Sequence, residues 1–343
     1  MARLLFRHLG QTLLATWLLA SAVFLLSRAG GAPALPVTTD LLAPAASTAD
    51  VRASRVATRH RLGLDLPLFY VGRTSAGGWQ WRGWHNQYHA WVRALGHGSL
   101  GTSFRTDEPV TRRLARALAF TLPLTGTAAA LVTVLALGLG LHLAARPRWQ
   151  LPVRTVLVAL QSLPLFVVAL ALLLLLANPD VLDWFPADGL AAVSTEFSAS
   201  SWREILPRLV LPVAALVLAA LPELALQLDA ALAHELRQPY VLTARAKGLR
   251  ASAVVRRHAL RNALLPTLAQ LAELLPAMVA GAVVVEVIFA LPGMGRLLAE
   301  AAATRDYPVL VGGVLLVGTT RLVSLLLADL SYSWADPRIR WQA

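Results

Sequence analysis

Several charged residues stand inside or at the ends of long apolar runs of this chain, where an ionised side chain is costly and suggests function by default. They include Glu223, Glu273, Glu286, Arg321 and Asp329. Glu223 and Asp329 lie near the ends of their runs, where a side chain can reach the membrane surface. Glu286 lies close to the outer end of its run, and Glu273 and Arg321 lie deepest. We therefore treat Glu273, Glu286 and Arg321 as candidate functional residues.

Two roles are open for the deepest pair. If the helices that carry them pack together, Glu273 could pair with Arg321 and keep both charges out of lipid. Alternatively, either residue could line a translocation path. An intramembrane enzyme would need a catalytic pair at this depth, and Glu273 and Arg321 make poor candidates for one. No catalytic residue is predicted.

The residue types present give little support for a metal site or for a site that uses a cysteine thiol. The chain has no cysteine, which excludes disulfides, cysteine-ligated zinc and cysteine nucleophiles. Asp40, His85, His89 and His97 are not spaced as the ligands of a metal site. No metal site is predicted.

The composition is that of an integral membrane protein. Of the 343 residues, 57% are hydrophobic and 15% are charged, with a mean hydropathy of +0.59, whereas soluble domains carry about 25% charged residues. The net charge of +12 would suggest nucleic acid as the partner of a soluble protein. In so apolar a chain, orientation in the bilayer is the better explanation, and no nucleic-acid partner is expected.

Six apolar windows meet or nearly meet the length of about 20 residues that a helix needs to cross a bilayer. They cover Leu9–Leu26, 118–143, 155–176, 205–228, 264–289 and 309–330. We predict an all-α polytopic membrane protein with about six transmembrane helices. The first window also resembles a signal peptide, but its apolar part exceeds the roughly 7 to 15 residues usual there, so we favour a retained anchor. Several windows contain proline, which breaks the helical hydrogen-bond ladder.

The arginines of the short loops predict the orientation. The loop 144–154 holds three arginines, and the loop 229–262 holds six arginines and one lysine, whereas the connection 177–204 holds one. Since basic short loops stay inside, both termini are expected in the cytoplasm. The twelve arginines between residues 28 and 116 count less, because loops longer than about 60 residues translocate largely regardless of charge.

These windows divide the chain into three parts. Residues 1–28 form an anchor, residues 29–116 an extracytoplasmic segment, and residues 117–343 a core of five helices with a basic cytoplasmic loop at 229–262. Within the second part, the segment 77–91 holds four tryptophans and a tyrosine. Anchoring at the membrane interface is the simpler explanation for them, and a stacking platform for substrate is the alternative.

The basic loop contains the stretch TARAKGLRASAVVRRHALRNALLP, residues 243–266. Its pattern predicts a short helix stopped at Gly248 and a second helix with Val254, Val255 and Ala259 toward one side. Arg256 and Arg257 occupy other faces. Affinity for anionic lipid would explain the charge, but not the glycine break or the re-entry into the membrane.

This stretch resembles the cytoplasmic coupling loop, or EAA loop, of permease subunits in binding-protein-dependent ABC importers, and in detail the dipeptide, oligopeptide and nickel class. Further stretches look like signatures of that class in the expected order: LGLDLPL, GSLGTSFRTDEPV, GAVVVEVIFALPGMGRLLAEA, RDYPVL and DPRIRW. The chain departs from the general Glu-Ala-Ala start, since Leu242, Thr243 and Ala244 stand there. The segment 77–91 and part of 178–202 look like insertions.

The resemblance implies a type I ABC importer permease fold in the bacterial inner membrane. It also implies partners: a second homologous permease, two ABC ATPases that bind ATP and Mg²⁺, and an extracytoplasmic substrate-binding protein. This chain has no GxxxxGK[ST] phosphate loop and is expected to hold no cofactor and to be no enzyme. Peptides are the expected cargo. A secondary transporter or channel that works without ATPases, driven by ions or protons, is the alternative.

The resemblance also assigns residues to the ATPase-coupling loop. They are Thr243, Ala244, Arg245, Ala246, Lys247, Gly248, Leu249, Ala253, Val254, Arg256, Arg257, His258, Arg261, Asn262 and Pro266.

Overall fold

The computed structural model describes residues 2–29, 56, 60, 65–73, 78–186, 189 and 201–335. Helices dominate this part of the chain, which confirms the predicted all-α class. The first elements are α1 (Ala2–Ala29), β1 (Val71–Arg73), β2 (Trp79–Trp81), α2 (Gln87–Gly96), α3 (Val110–Ala145), a 3-10 turn (Pro147–Trp149), α4 (Gln150–Gln161) and α5 (Leu165–Leu176). They are followed by α6 (Ser201–Glu235), α7 (Pro239–Ala246), α8 (Ala251–Val254), a π turn (Val255–Ala259), α9 (Leu260–Ile288), α10 (Met294–Ala303) and α11 (Tyr307–Ala335).

Helices lie over all six predicted windows. Within the described residues, three helices are long and apolar enough to cross a membrane, namely α1, α3 and α6, and the bent pair of α4 and α5 makes a fourth if it is one span. The last two windows lie on α9 and α11, which have 29 residues each. The number of six spans stays a prediction.

The third window is broken in the middle. Helix α4 ends at Gln161 and α5 begins at Leu165, and their axes differ by 98°. Pro164 stands at the break with extended backbone angles. It cannot donate to the helical ladder and disfavours helical angles in the residue before it, so α4 ends close to this position. Pro123 and Pro212, in contrast, lie inside continuous helices.

The described residues fall into two compact units. The first unit holds the described parts of Met1–Arg7, Ala119–Arg296 and Thr320–Ala343. Its core lies among α3 to α6 and α9, and many of its fully buried residues are small. Examples are Ala128, Ala169, Ala215, Ala225 and Ala282. Small residues let helices approach closely, which is how helices pack in membranes.

The second unit holds the described parts of His8–Leu118 and Leu297–Thr319. Here α2 packs on α1 through aromatic rings: Trp91 stacks on Trp17 and on Phe24, with centroids 5.5 and 5.0 Å apart. The strands β1 and β2 form a small antiparallel hairpin. Aromatic residues such as those of β2 are enriched in strands, so this departure from the helical pattern agrees with the local sequence. Trp79 and Trp81 on this hairpin are 77% and 60% exposed.

A buried carboxylate organises the same unit. Asp306 accepts hydrogen bonds from the Ser103 hydroxyl at 2.5 Å and the Phe104 amide at 3.0 Å, and forms an ion pair with Arg113 at 3.0 Å. Since both carboxylate oxygens of this 2% exposed residue have donors, burial of its charge is compensated. Asp306 lies in the RDYPVL stretch, and Ser103 and Phe104 lie in GSLGTSFRTDEPV. The resemblance therefore pointed to both stretches but not to the contact between them.

Candidate functional site

Residues 239–266, which we call the basic segment, have the predicted helix, glycine bend and helix. Helix α7 begins at Pro239, which suits a first helical position because its missing N–H is not needed there. The helix ends in a Schellman motif: the amide of Gly248 donates to the carbonyl of Arg245 at 2.9 Å, and that of Leu249 to Ala244 at 3.4 Å. Gly248 has φ of +77°, a conformation that favours glycine.

The chain then turns into a second helical stretch. Arg250 is extended, and α8 begins at Ala251. The following π turn, Val255–Ala259, closes with the amide of Leu260 on the carbonyl of Val255. Such turns are rare and occur mostly as single interruptions of α-helices, often at functional sites. The sequence did not predict the π turn, because its residues are compatible with an ordinary helix.

Two apolar clusters hold this segment together and pack it on α6. Val241, Ala244 and Val254 form one cluster, which joins α7 to α8. The second cluster contains Val255, Ala259 and Ala263 together with Leu228 and Leu232 of α6. The segment is therefore packed against a long helix rather than tethered to it.

A polar network ties the start of α7 to its neighbours. The Tyr240 hydroxyl donates to the Glu235 carboxylate at 2.5 Å and accepts from the Asn262 amide at 3.2 Å. Burial, and then the hydrogen bond to Glu235, raises the pKa of Tyr240, so its hydroxyl stays a donor at physiological pH. The network connects α6, α7 and α9 outside the apolar clusters.

The remaining predicted residues of the loop lie around these anchors. Buried positions are Ala244 and Val254, and Ala253 and His258 are half-buried. Exposed positions are Thr243, Arg245, Ala246, Lys247, Gly248, Leu249, Arg256, Arg257, Arg261, Asn262 and Pro266. The arginines and the lysine thus face away from the apolar clusters.

An ion pair lies next to this segment. Arg154 of α4 donates to Asp229 of α6 at 2.5 Å, and Asp229 is buried. Both residues line an open groove of about 460 Å³ together with His234 and Arg237. In the sequence, Arg154 is one of the three arginines of the loop 144–154, and nothing local identifies Asp229 as its partner.

The carboxylate of Glu286 accepts hydrogen bonds from three donors. One carboxylate oxygen accepts from the Thr121 hydroxyl at 2.6 Å, and the other accepts from the amides of Gly295 at 2.6 Å and Arg296 at 3.1 Å. The Thr121 hydroxyl accepts in turn from the amide of Met294 at 2.8 Å. A carboxylate at the first turn of α10 is stabilised by the free amides there.

Steric crowding explains why glycine occupies two positions near Glu286. A Cβ on Gly293 would overlap the carboxyl group of Glu286, and one on Gly295 would overlap the backbone of Val283. The stretch LPGMG therefore lets α10 begin directly beside α9. These contacts are those of a residue that holds the backbone in place.

The other intramembrane candidates stay open. Arg321 is exposed, and the side chain of Glu273 lies outside the described residues, so their pairing stays a prediction. Glu223 is exposed and accepts from Gln270 at 2.6 Å. In the described part of the chain, no three His, Asp or Glu side chains are grouped to hold a metal ion.

Comparison with known proteins identifies the family. The model of the family described as binding-protein-dependent transport system inner membrane component matches residues 132–341. The chain is 36% identical to the di/tripeptide transport system permease protein DppB of Pseudomonas aeruginosa over 82% of this chain and 84% of that protein. It is 32% identical to the oligopeptide transport system permease protein AppB of Bacillus subtilis, over 74% and 80%.

A solved structure also matches in part. The crystal structure of an amino acid ABC transporter with histidines aligns with 67% of this chain and 95% of its own, at 17% identity and a TM-score of 0.45. The sequence matches are the stronger finding, since the family model covers more than half of the chain and includes the basic segment. The chain therefore belongs to the family of inner membrane components of binding-protein-dependent transport systems, the permease subunits of ABC importers.

Proposed function

We propose that this permease forms, with a homologous permease, the translocation path for di- or oligopeptides, and that the segment 239–266 transmits the movement of cytoplasmic ATPases to the membrane helices. One observation carries the proposal: this segment is packed on α6 through its apolar side and presents its basic side to solvent. A partner that binds the basic side can then move α6 directly.

Rigidity is the property that such a role requires. A flexible tether would absorb a displacement, whereas a packed element transmits it as a rigid-body movement. The Schellman motif at Gly248, the two apolar clusters and the Tyr240 network each restrict the segment. Together they make it a stiff projection continuous with α6 and α9.

The exposed charges suggest how the partner is recognised. Arg256, Arg257 and Arg261 stand on one helical stretch and are all exposed. Complementary charge steers association and fixes register more than it adds affinity. We expect an ATPase groove with carboxylates at its rim to seat this stretch.

The rest of the assignment follows from the family. ATP and Mg²⁺ belong to the ATPase subunits in this proposal, and this chain holds no cofactor. A substrate-binding protein delivers the peptide from the extracytoplasmic side, and both termini lie in the cytoplasm. Peptides are proposed as the cargo because the relatives DppB and AppB are named as peptide permeases.

The test is co-purification of the tagged permease with its ATPases and peptide uptake in proteoliposomes. Reversing two exposed charges, Arg256→Glu with Arg257→Glu, should lower ATPase recovery and uptake together, while thermal stability stays the same. The matched control is Arg112→Glu, another exposed helical arginine. Unchanged ATPase recovery in the double variant would contradict the coupling role, and uptake driven by an ion gradient without ATPases would favour the secondary transporter.

A further inference from the structure

A cavity of about 300 Å³ lies inside the second unit. Its walls come from α1, α2, the stretch 100–104 and the start of α11. Most of the lining is apolar, including Phe24, Trp91 and Leu100, and Arg28 and Gln87 supply polar groups. An apolar cavity with a few convergent polar groups is the usual form of a ligand site.

The guanidinium of Arg28 is the main polar feature of this cavity. Its carbon lies 5.2 Å from the centre of the Phe24 ring and 5.3 Å from that of Phe104. One terminal nitrogen donates to the amide oxygen of Gln87. The Nε atom is buried, and no acceptor among the described residues bonds to it.

Charge compensation for Arg28 is incomplete. Among the residues that the structure describes, no carboxylate forms an ion pair with it. A buried donor without an acceptor is costly, and a guanidinium offers planar paired donors that match a phosphate or a carboxylate. The cavity thus has the chemistry of a site for an anion.

The position of Arg28 along α1 indicates which anion. The apolar window of α1 ends at Leu26, and two more residues of helix add about 3 Å. This depth is the level of lipid headgroups when the window spans the hydrocarbon core.

The surface of α1 below Arg28 suits acyl chains. Leucines on this helix are exposed over several turns: Leu13, Leu14, Leu18, Leu19 and Leu26, at 52%, 58%, 59%, 56% and 72%. An anion that is joined to two acyl chains could place its charge at Arg28 and its chains along these leucines. A free phosphate or a peptide carboxylate would use only the cavity.

We propose that this cavity binds the phosphate group of an anionic phospholipid, with Arg28 as the principal donor and the ring faces of Phe24 and Phe104 as its support. The site is independent of the coupling role of the segment 239–266. Its occupation would fix α1 to α2 at the membrane interface.

The experiment is native mass spectrometry of the full chain in detergent, with phosphatidylglycerol or phosphatidylcholine added. We expect one tightly held phosphatidylglycerol on the wild type. Arg28→Gln should weaken it at least about tenfold, the effect of losing a hydrogen bond to a charged group. The control Arg112→Gln removes an exposed arginine of α3 and should leave binding unchanged.

A second variant tests the cavity itself. Ala94 lines it, so Ala94→Phe should fill the space and displace the lipid while Arg28 remains. Equal retention of phosphatidylglycerol by wild type, Arg28→Gln and Ala94→Phe would overturn the proposal, as would equal retention of phosphatidylcholine. Displacement of the lipid by inorganic phosphate alone, or by a tripeptide at similar concentration, would also overturn it and assign the cavity to a soluble anion.

Discussion

At the scale of single residues, Glu286 is best explained as a structural anchor for the start of α10. Its carboxylate receives the Thr121 hydroxyl and two backbone amides, so all three donors lose their partner if it is removed. Burial makes this loss expensive, because water cannot replace the carboxylate. A charge in a membrane protein need not lie on the transport path.

The corresponding prediction is a loss of stability in Glu286→Ala. We expect the free energy of unfolding to fall by roughly 2 kcal/mol or more, since buried donors are left without acceptors. Thermal unfolding in detergent measures the change. The control Glu223→Ala removes an exposed carboxylate with one hydrogen bond and should cost less than about 1 kcal/mol. Equal losses in the two variants would refute the anchoring role.

The sequence could single out Glu286 but not its partners. Its charge within an apolar run was enough to make it a candidate, and the stretch LPGMG was visible beside it. Thr121, however, stands 165 residues earlier in the chain, and no local pattern connects two such positions. The same holds for Asp306 and Ser103, which are 203 residues apart.

At the scale of elements, the turn at Gly248 decides the shape of the basic segment. No heavy atom lies within 4 Å of where a Cβ on Gly248 would stand. Substitution therefore acts through the backbone alone, at a φ of +77° that L-residues avoid. A substitution at Gly248 therefore measures the effect of backbone strain without any contribution from steric overlap.

We predict that Gly248→Ala loosens the segment while Gly248→Asn largely preserves it. The left-handed conformation costs alanine about 1 kcal/mol, which corresponds to roughly fivefold faster local opening. Asparagine tolerates this conformation and should change the rate less. Hydrogen exchange of peptides covering residues 239–262 measures the opening. Identical exchange in the alanine and wild-type proteins would mean that the turn does not limit the rigidity of the segment.

Local signals predicted some elements and failed on others for physical reasons. Gly248 and the apolar spacing of Val254, Val255 and Ala259 are short-range features, and the helix, bend and helix followed from them. Proline within several windows indicated possible breaks, but it did not single out Pro164, since Pro123 and Pro212 lie inside continuous helices. The angle of 98° between α4 and α5 depends on what the two helices pack against. The π turn could not be predicted from the sequence, because every residue in it is acceptable in an α-helix.

At the scale of the whole molecule, the open question is the number of membrane crossings. The pair of α4 and α5 is either one broken span or a re-entrant loop that returns to the side it came from. Because the chain has no cysteine, a single introduced cysteine is the only target for a membrane-impermeant maleimide. Four exposed positions distinguish the two cases: Gln80, Arg148, Asp180 and Lys247.

If the pair is one span, three crossings separate Gln80 from Lys247, and these residues label from opposite sides. Arg148 then shares the side of Lys247, and Asp180 shares the side of Gln80. If the pair is re-entrant, only α3 and α6 cross between them, so Gln80 and Lys247 label from the same side and Asp180 joins Arg148. We predict the first pattern, with Lys247 and Arg148 cytoplasmic. The basic segment is expected inside and the hairpin of β1 and β2 outside, and only an odd number of crossings between them allows this arrangement.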